Sequence, residues 1–102
     1  MSLAEEIAAQ IVRNFPAEMV LLFGSRARGE ALPDSDWDFL VVMPSELRPS
    51  ARTLAVRRVV RQLPSTRGVP IDILVRTPAE MSQGFPLAKE ILGEGQVLFR
   101  AP

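Results

Sequence analysis

Two acidic residues one apart, Asp36 and Asp38, open the apolar run Trp37-Asp38-Phe39-Leu40-Val41-Val42, ten residues after a Gly24-Ser25 pair that ends an earlier apolar run. In an extended strand side chains alternate between faces, so Asp36 and Asp38 project to the same side, roughly 6.5–7 Å apart along the chain. Carboxylates held that close repel unless a cation stands between them. A hard divalent ion such as Mg²⁺, which takes oxygen ligands and shares them with phosphates, meets that demand. Asp38 sits inside an apolar segment, where a lone charge would be buried at a cost of several kcal/mol. Asp72 poses the same problem within Ile71-Asp72-Ile73-Leu74-Val75. Both acids need a partner, and adjacent strands sharing a cation would supply one.

Glycine after an apolar strand is often only a turn. Here a short basic loop follows, and backbone N–H groups at the start of a helical turn can point at a phosphate, with the Ser25 hydroxyl as a further donor. Arg26 and Arg28 either reach phosphate oxygens or cap the acidic Asp34/Glu30 surface. The chain has neither a Gly-x-x-x-x-Gly-Lys loop nor a Gly-x-Gly-x-x-Gly loop, which argues against a P-loop NTPase or a dinucleotide site.

The absences narrow the chemistry further. Without Cys or His, thiol nucleophiles, imidazole bases, Ser-His-Asp triads and thiolate or imidazole zinc sites cannot be built from this chain. Without Tyr it cannot modify itself on a tyrosine. An enzyme made from these residues must work with carboxylates, arginines, serines, Lys89 and a borrowed metal. The 102 residues suffice for one domain, and 47% hydrophobic against 24% charged residues is the balance of a folded chain. Twelve acidic and twelve basic side chains cancel, so bulk charge calls for neither nucleic acid nor a membrane surface. There is no run of about 18 apolar residues and no charged-then-apolar leader, so a cytoplasmic location is expected.

The elements that must position these residues alternate. A helix is expected over Leu3–Asn14, capped by Ser2 and Glu5 and stopped by Pro16. A strand follows over Glu18–Phe23, then about one helical turn over Arg26–Glu30. The second strand is expected over Asp36–Met43, with Trp37, Phe39 and Val41 on one face and Asp36, Asp38, Leu40 and Val42 on the other. A helix capped by Ser50 is expected to run to about Leu63, burying Val56, Val59, Val60 and Leu63. The third strand spans Val69–Val75. Thr77 and Glu80 form a second capping box, a short helix covers Pro86–Leu92 and stops at Gly93, and an edge strand spans Gln96–Phe99. The last three residues read as a loose end. The arginines around the central helix (Arg48, Arg52, Arg57, Arg58, Arg61) read as a solvated face, with a docking surface for an acidic partner or RNA as the alternative. This pattern predicts one α/β domain over residues 1–102, a small mixed sheet of about four strands flanked by helices.

Gly-Ser, ten residues, Asp-x-Asp, and an isolated Asp on a later apolar strand together resemble the minimal nucleotidyltransferases of the DNA polymerase beta-like superfamily. The resemblance extends over nearly the whole chain, including the leading helix, the Gly24-Ser25-Arg26-Ala27-Arg28-Gly29 turn and the closing Gly93-Glu94-Gly95 turn. It implies that Gly24 and Ser25 hold the phosphates of ATP, that Asp36 and Asp38 bind two Mg²⁺ ions, and that Asp72 either completes the metal site or serves as base for the incoming hydroxyl. Family members commonly act as the antitoxin of a two-gene pair with a HEPN-domain ribonuclease and add AMP to a tyrosine of that partner. Two alternatives stay open: a non-catalytic antitoxin that covers its partner, and a small-molecule transferase whose acceptor pocket requires a homo-oligomer.

Overall fold

The computed structural model describes residues 1–102, and its elements follow from local chemistry. Helix α1 (Leu3–Asn14) starts at a complete capping box, with Ser2 accepting from the Glu5 amide and Glu5 accepting from the Ser2 amide. Strand β1 (Met19–Phe23) leads through Gly24 into the single turn α2 (Ser25–Arg28), which Gly29 closes in the left-handed conformation. Strand β2 (Trp37–Val42) is followed by α3 (Pro49–Val60), strand β3 (Ile71–Arg76), α4 (Pro78–Gln83), α5 (Ala88–Glu94) and β4 (Gln96–Arg100). Helix α4 opens on the Thr77/Glu80 capping box.

The four strands form one sheet in the order β3-β2-β1-β4. Strands β2 and β3 run parallel, and the pairs β1–β2 and β1–β4 are antiparallel, so the sheet is mixed. Its two faces differ in thickness. One carries the main core: Val20, Leu22, Phe39, Val41, Ile73 and Val75 pack beneath α1 and α3 through Ile7, Ile11, Val56 and Val60. The other carries a small cluster of Leu21, Leu40, Val42 and Ile91, with Leu74, Met81 and Phe85 at its margin. Burying Phe39 and Val41 on one side and Leu40 and Val42 on the other fixes the register of β2, because a one-residue slip would exchange the faces.

Several expectations are corrected. The α3 cap is Arg48, with Pro49 at the first helical position; proline's fixed φ suits that position, so Ser50 falls inside the first turn. The helix ends at Val60, and Leu63 belongs to the turn before Pro64. Arg52 is not on a solvated face: it is buried, donating to the Leu47 carbonyl at 2.8 Å and pairing with Glu80 at 2.8 Å. Gly93 does not stop α5; the helix runs to Glu94, and Gly95 ends it. A side chain at Gly95 would place its Cβ 2.4 Å from Leu21 Cδ2 and 2.7 Å from the Ile91 carbonyl oxygen, so glycine is required there. The chain's end is tied down, since the Ala101 amide donates to the Glu18 carbonyl at 2.9 Å.

Candidate active site

Everything singled out for chemistry lies at one end of the sheet. Gly24 follows the last residue of β1, Asp36 immediately precedes β2, and Asp38 and Asp72 are the second residues of β2 and β3. The ladder sets Asp38 opposite both Phe23 on β1 and Asp72 on β3. Laterally paired residues project to the same face, so Asp38 and Asp72 share the thinner face, ahead of the Leu40 and Leu74 that α4 and α5 help to cover.

Asp38 is half-buried, whereas Asp36 and Asp72 are exposed. The exposure of Asp72 corrects the expectation of a buried acid. Strand β3 is a sheet edge, and the strand order that makes it one cannot be read from its apolar composition. Burial pushes the Asp38 carboxyl above the usual carboxylate range, and the negative charges of Asp72 and then Asp36 push it further. Arg28 pulls the other way, and Glu94 adds to the push.

The Gly24 backbone is pressed against that carboxyl. A Cβ on residue 24 would stand 2.3 Å from Asp38 Oδ2, and φ at Gly24 is +76°. Both the close approach and the dihedral demand glycine. The turn exposes the amides of Ser25 and Arg26, which begin α2 and have no carbonyl four residues back to bond.

The two arginines of the turn are engaged within the chain. Arg26 donates to the carbonyls of Pro33 (3.2 Å) and Ser35 (2.9 Å) and stacks 4.3 Å above the Trp37 ring. It thereby fixes the loop that leads to Asp36. Arg28 pairs with Glu30 at 2.7 Å and with Glu94 at 2.9 Å. Glu30 had been one of its two expected roles; the contact with Glu94 had not. Glu94 also accepts from the Gly24 amide at 3.1 Å. The sequence carried one hint of it, an acid between Gly93 and Gly95 just before the closing strand, but no local pattern points from there to residue 24.

An all-oxygen set in which Asp72 and Asp36 crowd Asp38 beside a glycine turn suits a hard divalent cation in chemical type. No group of three or more acidic side chains is arranged to hold a metal ion by itself. An ion such as Mg²⁺ commonly takes only one or two carboxylates and completes its shell with water and substrate phosphate.

The crowding of Asp38 has a measurable consequence for stability. Because its folded pKa lies above the unfolded value near 3.8, the folded chain binds this proton more readily than the unfolded one. Ionisation therefore subtracts stability above the folded pKa, and the penalty vanishes as pH falls below the unfolded value. Asp38→Asn should raise Tm at neutral pH by a few degrees, because solvent screening keeps the effect small. The gain should disappear in melts taken below pH 3.8.

Comparison with known proteins gives the family and the fold. The sequence profile of the family "Nucleotidyltransferase domain" matches residues 4–98. A solved structure described as a proposed minimal nucleotidyltransferase is 32% identical, with 94% of this chain and 95% of that chain covered at a TM-score of 0.56. A proposed nucleotidyltransferase from Sulfolobus solfataricus is 29% identical, with 96% and 78% covered at a TM-score of 0.68. A chain from the complex of tri-AMPylated Shewanella oneidensis HEPN toxin with MNT antitoxin is 20% identical, with 97% and 71% covered at a TM-score of 0.62; at that identity the likeness concerns the fold. None of the curated proteins matches the chain.

Proposed function

The chain belongs to the nucleotidyltransferase domain family, and from that premise we propose that it transfers AMP from Mg²⁺-bound ATP to a hydroxyl of a protein partner, a tyrosine of a HEPN-domain toxin, the new bond to the α-phosphorus forming as the bond to the leaving pyrophosphate breaks, and so acts as an antitoxin. The observation that carries this reading is the Gly24 backbone packed against Asp38, which the ladder in turn pairs with Asp72. It sets a turn with free helix-start amides beside paired carboxylates, which supports reading them as the phosphate-binding and metal-binding parts that nucleotidyl transfer requires.

In this reading the Ser25 and Arg26 amides and the Ser25 hydroxyl bind and orient the phosphates. Gly24 lets those phosphates approach the backbone next to Asp38. Asp36 and Asp38 would hold the metal, as two ions, and Asp72 either joins them or takes the proton of the acceptor hydroxyl. Bound Mg²⁺ supplies charge neutralisation at the phosphates and a lowered pKa for the attacking hydroxyl. Arg26 and Arg28 serve the turn as supports, Arg26 by holding the loop before Asp36 and Arg28 by its ion pairs. The acceptor tyrosine must come from another molecule, since this chain contains none. The toxin–antitoxin complex among the structural neighbours supports a partner of that kind.

The test uses the purified chain, its HEPN-domain neighbour, Mg²⁺ and ATP labelled at the α-phosphate. Label should appear on the partner, and substitution of the partner's acceptor tyrosine should abolish it. Neutralisation of the toxin without any transfer of label would instead establish a covering role and overturn the enzymatic reading.

A further inference from the structure

The segment that closes α5 and opens β4 holds the Gly24-Ser25 turn by three contacts. Glu94 Oε1 accepts from the Gly24 amide at 3.1 Å, Glu94 Oε2 accepts from Arg28 Nη1 at 2.9 Å, and Gln96 Nε2 donates to the Ala27 carbonyl at 2.9 Å. Glu94 is itself held from the core. Gly95, beside it, is packed against the side chain of buried Leu21 and the carbonyl of Ile91 so tightly that no side chain fits there. A rigid path thus runs from the centre of the sheet through Gly95 and Glu94 to both ends of the turn.

We propose that Glu94 is the positioning residue of the nucleotide turn, its carboxylate fixing the Gly24 amide and the Arg28 guanidinium so that the turn is set before the nucleotide arrives. This rests on the nucleotidyltransferase reading of the site and adds to it a residue that touches neither phosphate nor acceptor. Three features favour positioning over an incidental surface contact. Glu94 bridges two groups at once, Oε1 accepting from the Gly24 amide and Oε2 from Arg28; a glutamine in the same pose would turn its NH₂ donor toward one of those two donors. The hydrogen bond from Arg28, against the opposing effect of burial and with help from the Gly24 amide, holds its carboxyl below the usual range. A fourth carboxylate beside Asp36, Asp38 and Asp72 is electrostatically unfavourable near a polyphosphate, so a plain structural tie would be better made by a neutral side chain. Preset donors cost no reorganisation on binding, and displacing them weakens binding or turnover steeply.

The experiment compares wild type, Glu94→Gln and Glu94→Ala in the full chain. It measures KM and kcat for Mg²⁺-ATP, Tm, and hydrogen exchange at the Gly24 amide. Glu94→Ala should raise KM about tenfold or more with a much smaller change in kcat, and should speed exchange at Gly24. Glu94→Gln keeps an acceptor for the Gly24 amide but not for Arg28, so it should fall between the two. Should the alanine variant fail to fold, Glu94→Gln still decides: wild-type KM together with wild-type exchange overturns the proposal. A fall in Tm with KM unmoved overturns it as well, because that is the mark of structural support alone. If the wild-type chain bound no Mg²⁺-ATP, the reading of the site would fall, and Gly24 exchange in Glu94→Ala would decide the clamp without it: unchanged exchange rejects it, faster exchange sustains it.

Discussion

Asp38→Asn should lower nucleotidyl transfer roughly a thousandfold, because a metal acting on a phosphoryl oxygen supplies several kcal/mol and each ~1.4 kcal/mol is tenfold in rate. The substitution preserves the shape of the side chain and removes its charge, so the sheet pairing with Phe23 and Asp72 should persist. The loss should appear in kcat with saturating ATP and Mg²⁺, and Asp36→Asn should show the same direction. The same Asp38→Asn protein is expected to melt higher than wild type at neutral pH. The two outcomes belong together, since a carboxyl crowded by burial and by Asp72 and Asp36 is kept at a cost in stability that only the chemistry justifies. A variant that lost activity and also melted lower would point to misfolding and would remove the support this experiment gives to a catalytic Asp38.

How much of this was legible in the sequence depends on the range of each contact. The faces of β2 could be read because alternation is local: Phe39 and Val41 went to one core, Leu40 and Val42 to the other, and Asp38 followed Leu40. The capping boxes at Ser2 and Thr77 could be read for the same reason, each being closed within three residues. The nearness of Asp38 to Asp72 was inferable only as an economical answer to two stranded charges, and the parallel β2–β3 ladder is what realises it. The exposure of Asp72 was not inferable. Ile71-Asp72-Ile73-Leu74-Val75 has the composition of a buried strand, and only the order of the sheet makes it an edge. The bond between Glu94 and Gly24 was hidden for a stronger reason, since 70 positions separate them and the contact exists only after β4 pairs with β1. Arg26 shows the opposite case: its motif context suggested phosphate, but its guanidinium found the Pro33 and Ser35 carbonyls of the following loop and the face of Trp37 at the start of β2.

Gly24→Ala should cost both stability and activity, failing on two independent counts. Its φ of +76° with ψ near −160° lies in a region that L-residues rarely adopt, a strain of about 1–3 kcal/mol. Its new Cβ would stand 2.3 Å from Asp38 Oδ2, so the carboxyl must rotate away or the turn must withdraw from β2. Relief by rotation keeps the fold but breaks the alignment of Asp38 with Asp72. Relief by withdrawal moves the Ser25 and Arg26 amides off the strand end and pulls the Gly24 amide from Glu94. Either way transfer should fall by about a hundredfold or more, the penalty for misplacing reacting groups by an ångström, while Tm drops by several degrees. The double variant Gly24→Ala/Asp38→Ala separates the two counts. Removing the carboxyl relieves the clash but not the dihedral strain, so Asp38→Ala should raise Tm more in the Gly24→Ala background than in wild type, while the double variant recovers none of the activity. An equal change in Tm on Asp38→Ala in both backgrounds would mean that Gly24 and Asp38 are not packed together in solution, and the site as described would have to be redrawn.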